Sequence, residues 1–379
     1  MNKHFVTMLG WWRWLAAFAV VLYHVRFLLL APYDDVAEKG VLLNLFYFGT
    51  SLGHEGFVLY MLVSGMLLGG LSLRRWKLQG AGAWRDIAHK ALWFYAFLVP
   101  GLLLGGLLDL TGHCELRSTG TYAYFDQFTP DFSLRAVAEN LLPVQRFIVP
   151  GLGSNSMLYL LAYECWAYLA FAAFILPTRR RTGAVLGSFV AVVGSVLAPE
   201  FVGYLLLWMM GAAVYHYRLR LQERLSRGRA LVLFVASLLT SRVVGAHLSE
   251  VPEQYVLVVR SLLDLQFGIG LTCLLLALGS SRIYRDRRSV LLWRLTRGFP
   301  AANSVIFACH FPLMMFAVAA ASRIWGVPIA GQPQPLLFAL FALVVALIYA
   351  YAWALSRLAR RLVRLLGAAR GMPVAPVTA

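Results

Sequence analysis

Residues 13–24 read RWLAAFAVVLYH. Ten mostly apolar residues separate an arginine from a histidine, in a segment hydrophobic enough to enter a lipid bilayer. Outward from that stretch the composition stays the same in kind. Of 379 residues, 60% are hydrophobic and 13% charged, and the mean hydropathy is +0.70. A soluble domain carries roughly a quarter charged residues. The expected fold is therefore an all-α integral membrane protein. The net charge of +17 does not point to nucleic acid, because the basic residues fall between hydrophobic runs instead of gathering on one face.

About ten runs are long enough to cross the hydrocarbon core, which takes roughly 20 residues. They lie near 11–30, 54–73, 88–110, 154–177, 183–199, 201–217, 230–248, 254–279, 302–324 and 335–356. With the N-terminus inside, the inner segments are the start of the chain, 74–90, 178–182, 218–229, 280–301 and the tail from 357. These hold 25 of the 34 Lys and Arg. Asp34, Asp35, Glu38, Glu115, Asp126, Asp131, Glu139, Glu250 and Glu253 fall on the other side. That asymmetry is the positive-inside pattern, so both termini are expected in the cytoplasm. The expected division is a transmembrane domain over 1–356 and a basic cytoplasmic tail over 357–379.

The first run is long, contains aromatic residues and lacks a small-x-small cleavage site, so it reads as a retained helix. Cys165, Cys273 and Cys309 fall inside spans and Cys114 stands alone on an outer link, which suggests neither a disulfide framework nor a metal site. P-loop, GxGxxG and HExxH patterns are absent from the sequence, and no internal repeat is evident. The longest link, 111–153, carries Tyr122, Tyr124, Phe125, Phe128 and Phe132 and runs into PGLGSNS. Those rings suit a sugar-binding surface or, more simply, a segment packed at the membrane boundary.

Eleven positions from Arg13 to His24 make roughly three helical turns, so both side chains share one face about 16 Å apart. On this reading Arg13 lies near the cytoplasmic boundary and His24 beyond the midplane. An arginine there could hold phosphates while a thin arm runs along the helix to a histidine acting as base, as coenzyme A would allow. The same pair also fits a snorkelling arginine and a histidine hydrogen-bonded inside the bundle.

At this point the sequence resembles the acyltransferase-3 family of polytopic membrane acyltransferases. Arg13 and His24 match its first-helix signature of an arginine, ten residues and a histidine. GHEGFVLYMLVSGMLL resembles its second signature, with Ser64 and Gly65 in the matching places. LYLLAYECWAYL resembles a third, with Glu164 as the carboxylate, and FACHFPL supplies His310, Phe311 and Pro312. Tyr159, Leu160 and Leu161 stand where relatives commonly have Trp-Ser-Leu, and Asn303 and Ser304 where they have Ser-Tyr. The periplasmic hydrolase-like domain that some relatives append is not expected after the last span.

The resemblance implies an O-acyltransferase of the bacterial inner membrane. It would move an acyl group, most commonly acetyl, from acyl-CoA to a hydroxyl of a cell-surface or lipid-linked glycan. His24 is the expected general base, since neutral imidazole has an ordinary pKa near 6.5. Glu164 is expected either to orient that histidine or to pair with an arginine. Arg13, Ser64, Gly65, His54, Glu55 and His310 complete the expected substrate-binding set. His54 and Glu55 suit acceptor chemistry or interfacial anchoring, and His310 suits direct function or a backbone-satisfied core position. Arg260 and Asp264, four residues apart, are expected to pair with each other. No metal or resident cofactor is expected beyond the acyl-CoA co-substrate. Expected partners are that donor, the glycan acceptor, the bilayer, and a second copy or a glycan-assembly protein, with no nucleic acid. The rival reading is a transporter or flippase exporting a glycan or metabolite without acyl chemistry. A family member that serves only as an assembly subunit would be expected to have lost His24, which is present.

Overall fold

A backbone in hydrocarbon must satisfy its own hydrogen bonds, so each apolar run of this sequence becomes a helix. The computed structural model describes residues 3–79, 82–125, 128–177, 179–279 and 303–369. Among them the order is α1 (Lys3–Leu29), α2 (Val41–Thr50), α3 (Gly53–Ser64), a π-helical stretch (Gly65–Gly70) and α4 (Leu71–Gln79). Then follow α5 (Ala83–Glu115), α6 (Leu134–Leu141), α7 (Leu158–Ile175), α8 (Arg180–Leu197), α9 (Phe201–Arg224), α10 (Arg227–Ala246), α11 (Glu253–Gly279), α12 (Asn303–Trp325) and α13 (Pro335–Ala369). The protein is an all-α polytopic membrane protein. Nine helical segments of the described residues are long and apolar enough to cross a bilayer, and strand pairing there is limited to isolated bridges.

The tenth expected run is α9, which crosses the bundle but is less apolar than the other nine. Run 201–217 is helical, but Tyr204, Tyr215, His216 and Tyr217 dilute its hydropathy. It is an inner helix whose Phe201, Leu207 and Trp208 are fully buried. Helix α13 runs past the expected start of the tail at 357 to Ala369, with Ala359 and Val363 buried. The inner link 280–301 and the last ten residues of the tail lie outside the described residues.

Short links such as Ala198–Glu200 and Leu225–Ser226 force neighbouring helices antiparallel. The start of α1 and the end of α13 therefore lie at one end of the bundle, together with the arginines of α4, α8 and α9 and with Arg227 and Arg229 of α10. Between helices the contacts are made by small residues, as lipid offers no hydrophobic drive to bring helices together. A Cβ at Gly56 of α3 would stand 2.8 Å from the Ala16 carbonyl of α1, and one at Gly105 of α5 would stand 3.1 Å from the Pro312 ring of α12. At Gly65 it would collide with the Trp208 carbonyl of α9. The π stretch thus begins where α3 and α9 touch backbone to backbone, a common place for such an insertion to be kept.

The long link folds back onto the bundle. Asp109 of α5 is fully buried and accepts from the Ser154 backbone N–H at 2.8 Å and from its hydroxyl at 2.8 Å. Gly153 has φ +59°, and a Cβ there would strike the Asp109 carboxylate. Pro312 has no N–H, which leaves the Ala308 carbonyl without its helical partner. The buried Asn155 Nδ2 donates to that carbonyl at 2.9 Å. Two polar anchors, one per helix, therefore hold PGLGSNS over the end of α5 and α12.

Candidate functional site

The face of α1 that carries Arg13 and His24 meets α3, α7 and α12, and each ionisable group finds a different partner. Helix α1 begins at Lys3, so Arg13 lies about 15 Å along it, inside the bundle instead of at its boundary. Its guanidinium is 4% exposed and forms an ion pair with Glu164 of α7. Its Nη2 also donates to the Tyr60 hydroxyl at 2.6 Å and to the Ser304 hydroxyl at 3.1 Å. Tyr60 in turn donates to Glu164 Oε2 at 3.2 Å, while the guanidinium carbon lies 4.5 Å from the centre of the tyrosine ring. One cation, one carboxylate and two hydroxyls from four helices thus meet out of water through Arg13 Nη2, while Arg13 Nε is buried without a hydrogen-bond partner.

Two expectations change here. The Arg13 guanidinium pairs with the Glu164 carboxylate inside the bundle, whereas the sequence reading puts it near the cytoplasmic boundary facing a donor's phosphates. Glu164 does not reach His24 either, since Arg13 lies within bonding distance while the histidine is three turns further along α1. Of the two roles open to that carboxylate, the structure selects pairing with an arginine. Tyr60 and Ser304 were not singled out by the sequence for this cluster. The signal available was their register: Tyr60 lies four residues before Ser64, and Ser304 six before His310.

His24 is half-buried and stacks on His310 of α12 with ring centres 5.4 Å apart. Its Nδ1 lies 3.3 Å from His310 Nε2, and His310 Nδ1 lies 2.9 Å from the Ile306 carbonyl. A carbonyl only accepts, so His310 Nδ1 carries the proton and donates it there. In the neutral ring Nε2 then accepts from His24 Nδ1–H. His24 is left with a bare lone pair on Nε2. The chain runs from a fixed backbone oxygen through a fully buried imidazole to a reachable one.

Aromatic rings pack next to the His24 imidazole and its neighbours. Phe311 is centred 5.3 Å from His24, and Phe125 is 5.3 Å from Phe311. Phe27 contacts both Tyr124 and Phe125 of the long link. Tyr122 is buried against Phe128 and His113. The link is therefore packed on the helices, and of its rings Tyr124 and Phe125 approach the histidine pair.

Ser64 and Gly65 do not join His24. Ser64 is fully buried, and Gly65 is pressed on α9 about one turn from Tyr60, further from His24. The Ser64 hydroxyl is buried without a hydrogen-bond partner. His54 and Glu55 start α3 near Tyr23 and face α10 and α11 instead. His54 Nε2 lies 2.6 Å from Asp264 Oδ1, so the Arg260–Asp264 pair expected from spacing is replaced by one across helices. Arg242 reaches Glu55 at 3.4 Å. Among the described residues no three His, Cys, Asp or Glu side chains gather as metal ligands, and all four cysteines are unpaired.

Comparison of the chain with models of known families, with curated proteins and with solved structures yields no match.

Proposed function

We propose that this chain is an O-acyltransferase that uses His24 as general base, taking an acyl group from acyl-CoA and giving it to a hydroxyl presented at the far end of the bundle. The supporting observation is the Ile306–His310–His24 chain, which fixes the tautomer of His24 and leaves its Nε2 as the acceptor. Orienting the base through its second nitrogen is the role a carboxylate plays in a triad. Here a buried neutral imidazole holds the ring without adding a negative charge.

In this reading the acceptor hydroxyl donates its proton to His24 Nε2 as its oxygen attacks the thioester carbonyl. The tetrahedral intermediate collapses by breaking the C–S bond, and the departing sulfur takes the proton back from the imidazolium. The products are the ester and free CoA thiol, with His24 restored. Phe311, centred 5.3 Å from His24, and Phe125 packed on it offer flat apolar faces near that imidazole, suited to the C–H face of a sugar ring. The arginine-rich end of the bundle is read as cytoplasmic, which puts His24 toward the outer side and makes a surface or lipid-linked glycan the natural acceptor. An inner-membrane location and acetyl as the acyl group follow from the same family resemblance.

The test is mass spectrometry of surface glycans from cells carrying wild type, His24→Ala or no copy, at matched protein level. The reading expects the mass increment of an acetyl group to fall by about 10²–10⁴ on loss of the base. An increment unchanged in His24→Ala refutes the assignment of the base. Unchanged acylation in every strain, with glycan export lost in the deletion, points to a transporter instead.

A further inference from the structure

The second cluster of ionisable groups takes no part in that chemistry and still needs a reason to be in a membrane bundle, where such groups are costly and mark functional sites. His54 and Glu55 of α3, Ser241 and Arg242 of α10, and Arg260 and Asp264 of α11 line a cavity of about 160 Å³. The cavity lies at the end of the bundle opposite the chain termini, where α3 and α11 begin and α10 ends.

Two pairs in it are closed. Asp264, 5% exposed, is bonded to His54. Arg242 donates to Glu55 Oε1 and, at 3.0 Å, to the Ser51 hydroxyl. What these pairs leave over is specific. Glu55 Oε2 is buried with no hydrogen-bond partner, on a residue only 7% exposed. Arg260 is exposed and, among the described residues, has no carboxylate within 4 Å although Asp264 follows one turn later. A buried carboxylate oxygen without a donor is expensive, and its geometry asks for a ligand that donates. Arg242 already lies beside Glu55, so a ligand ammonium would meet a like charge there, whereas a neutral hydroxyl would not. Arg260 asks for an anion.

We propose that this cavity binds a hydroxylated anion, a carboxylate or phosphate carrying a neighbouring hydroxyl, with Arg260 on the anionic group and Glu55 Oε2 accepting from the hydroxyl. The space is enough for several waters or a compact polar group. Two sources share this chemistry. One is a sugar acid of an extracellular glycan; the other is the phosphoglycerol head group of an anionic lipid, reached through the exposed side of α11. The proposal does not require acyl transfer, and it stands or falls separately from the role of His24.

The test uses the full chain purified into phosphatidylcholine nanodiscs, with the thermal midpoint as readout. Glucuronate, glucose, cyclohexanecarboxylate and serine are titrated in one series, and the share of phosphatidylglycerol is raised in another. Glucuronate is expected to raise the midpoint saturably. Cyclohexanecarboxylate, which keeps the charge and lacks hydroxyls, should need at least about tenfold more, the loss of one hydrogen bond to a charged group. Arg260→Gln, a change at an exposed side chain that leaves the fold intact, should raise the half-saturating glucuronate concentration by a similar factor. If phosphatidylglycerol instead gives the shift and Arg260→Gln abolishes it, the ligand is the lipid head group. The proposal is overturned if neither series shifts the midpoint, if the shift survives Arg260→Gln, or if serine or glucose matches glucuronate.

Discussion

Removing either member of the Arg13–Glu164 pair should be far worse than removing both. The pair lies out of water, with side chains 4% and 8% exposed, and only Tyr60 and Ser304 share its hydrogen bonding. Deleting one partner of such a pair strands the other charge and costs about 3–5 kcal/mol. That corresponds to roughly two to three and a half decades in the unfolding equilibrium, at about 1.4 kcal/mol per decade. Arg13→Met and Glu164→Leu are each expected to lose that much. The double variant removes both charges and fills the space with apolar atoms, so it should lie closer to wild type than either single change. A double-mutant cycle then gives a coupling energy of about 3 kcal/mol or more. The assay is reversible unfolding of the purified protein in mixed micelles, followed by tryptophan fluorescence. Additive losses, with the double variant weaker than both singles, would refute the claim that the two charges compensate each other.

Three further outcomes follow from the packing and the electrostatics. Gly65→Ala places a methyl against the Trp208 carbonyl, which is backbone and cannot turn aside, so thermal melting should show a loss of about 1–3 kcal/mol or more. Gly153→Ala forces φ +59° on a residue with a Cβ and pushes on Asp109, a cost of roughly 1–2 kcal/mol from the backbone alone, with faster proteolysis of the 120–156 link as its local signature. At Glu200, in the short link before α9, burial raises the carboxyl while hydrogen bonds from Arg146 and Tyr163 lower it, and the net result lies below its ordinary 4.5. The stabilisation from Glu200 is therefore complete above about pH 4.5 and fades as the pH falls through the depressed value. Glu200→Gln should lower the melting point at neutral pH and flatten its decline in that acid window, and an unchanged acid limb would count against the bonding described.

Hydropathy made the helices legible because a spanning segment announces itself over some twenty residues. It is weakest where composition and position conflict. Run 201–217 reads as a span although its tyrosines and the following Arg218 leave α9 less apolar than the others, and it is a helix largely enclosed by its neighbours. Helix α13 continues past residue 356 because Arg357, Arg360, Arg361 and Arg364 are good helix formers at the end of an apolar rod. At the site, the first-helix pair was visible as spacing on one face. Its partners were not, since Glu164 and His310 come from helices 151 and 286 residues away, and no local rule ranks such contacts. The Arg260–Asp264 expectation failed for the same reason in reverse. A gap of four residues makes two groups neighbours on a helix, but Asp264 faces inward to His54 at 2.6 Å while Arg260 points out.

The separation of Arg13 from Glu164 also has a consequence in time. A chain made at roughly 5–20 residues per second delivers the carboxylate about 8–30 s after the arginine. During that interval the first span has entered the bilayer with a bare guanidinium, at a cost of about 2.5–3.5 kcal/mol that its leucines, valines and phenylalanines must offset alone. Helix α7 then neutralises the charge, and only α12, later still, brings Ser304 to the cluster and His310 to His24. A ribosome that stops after α7 therefore leaves in the membrane a protein whose Arg13 is paired but whose His24 has no partner.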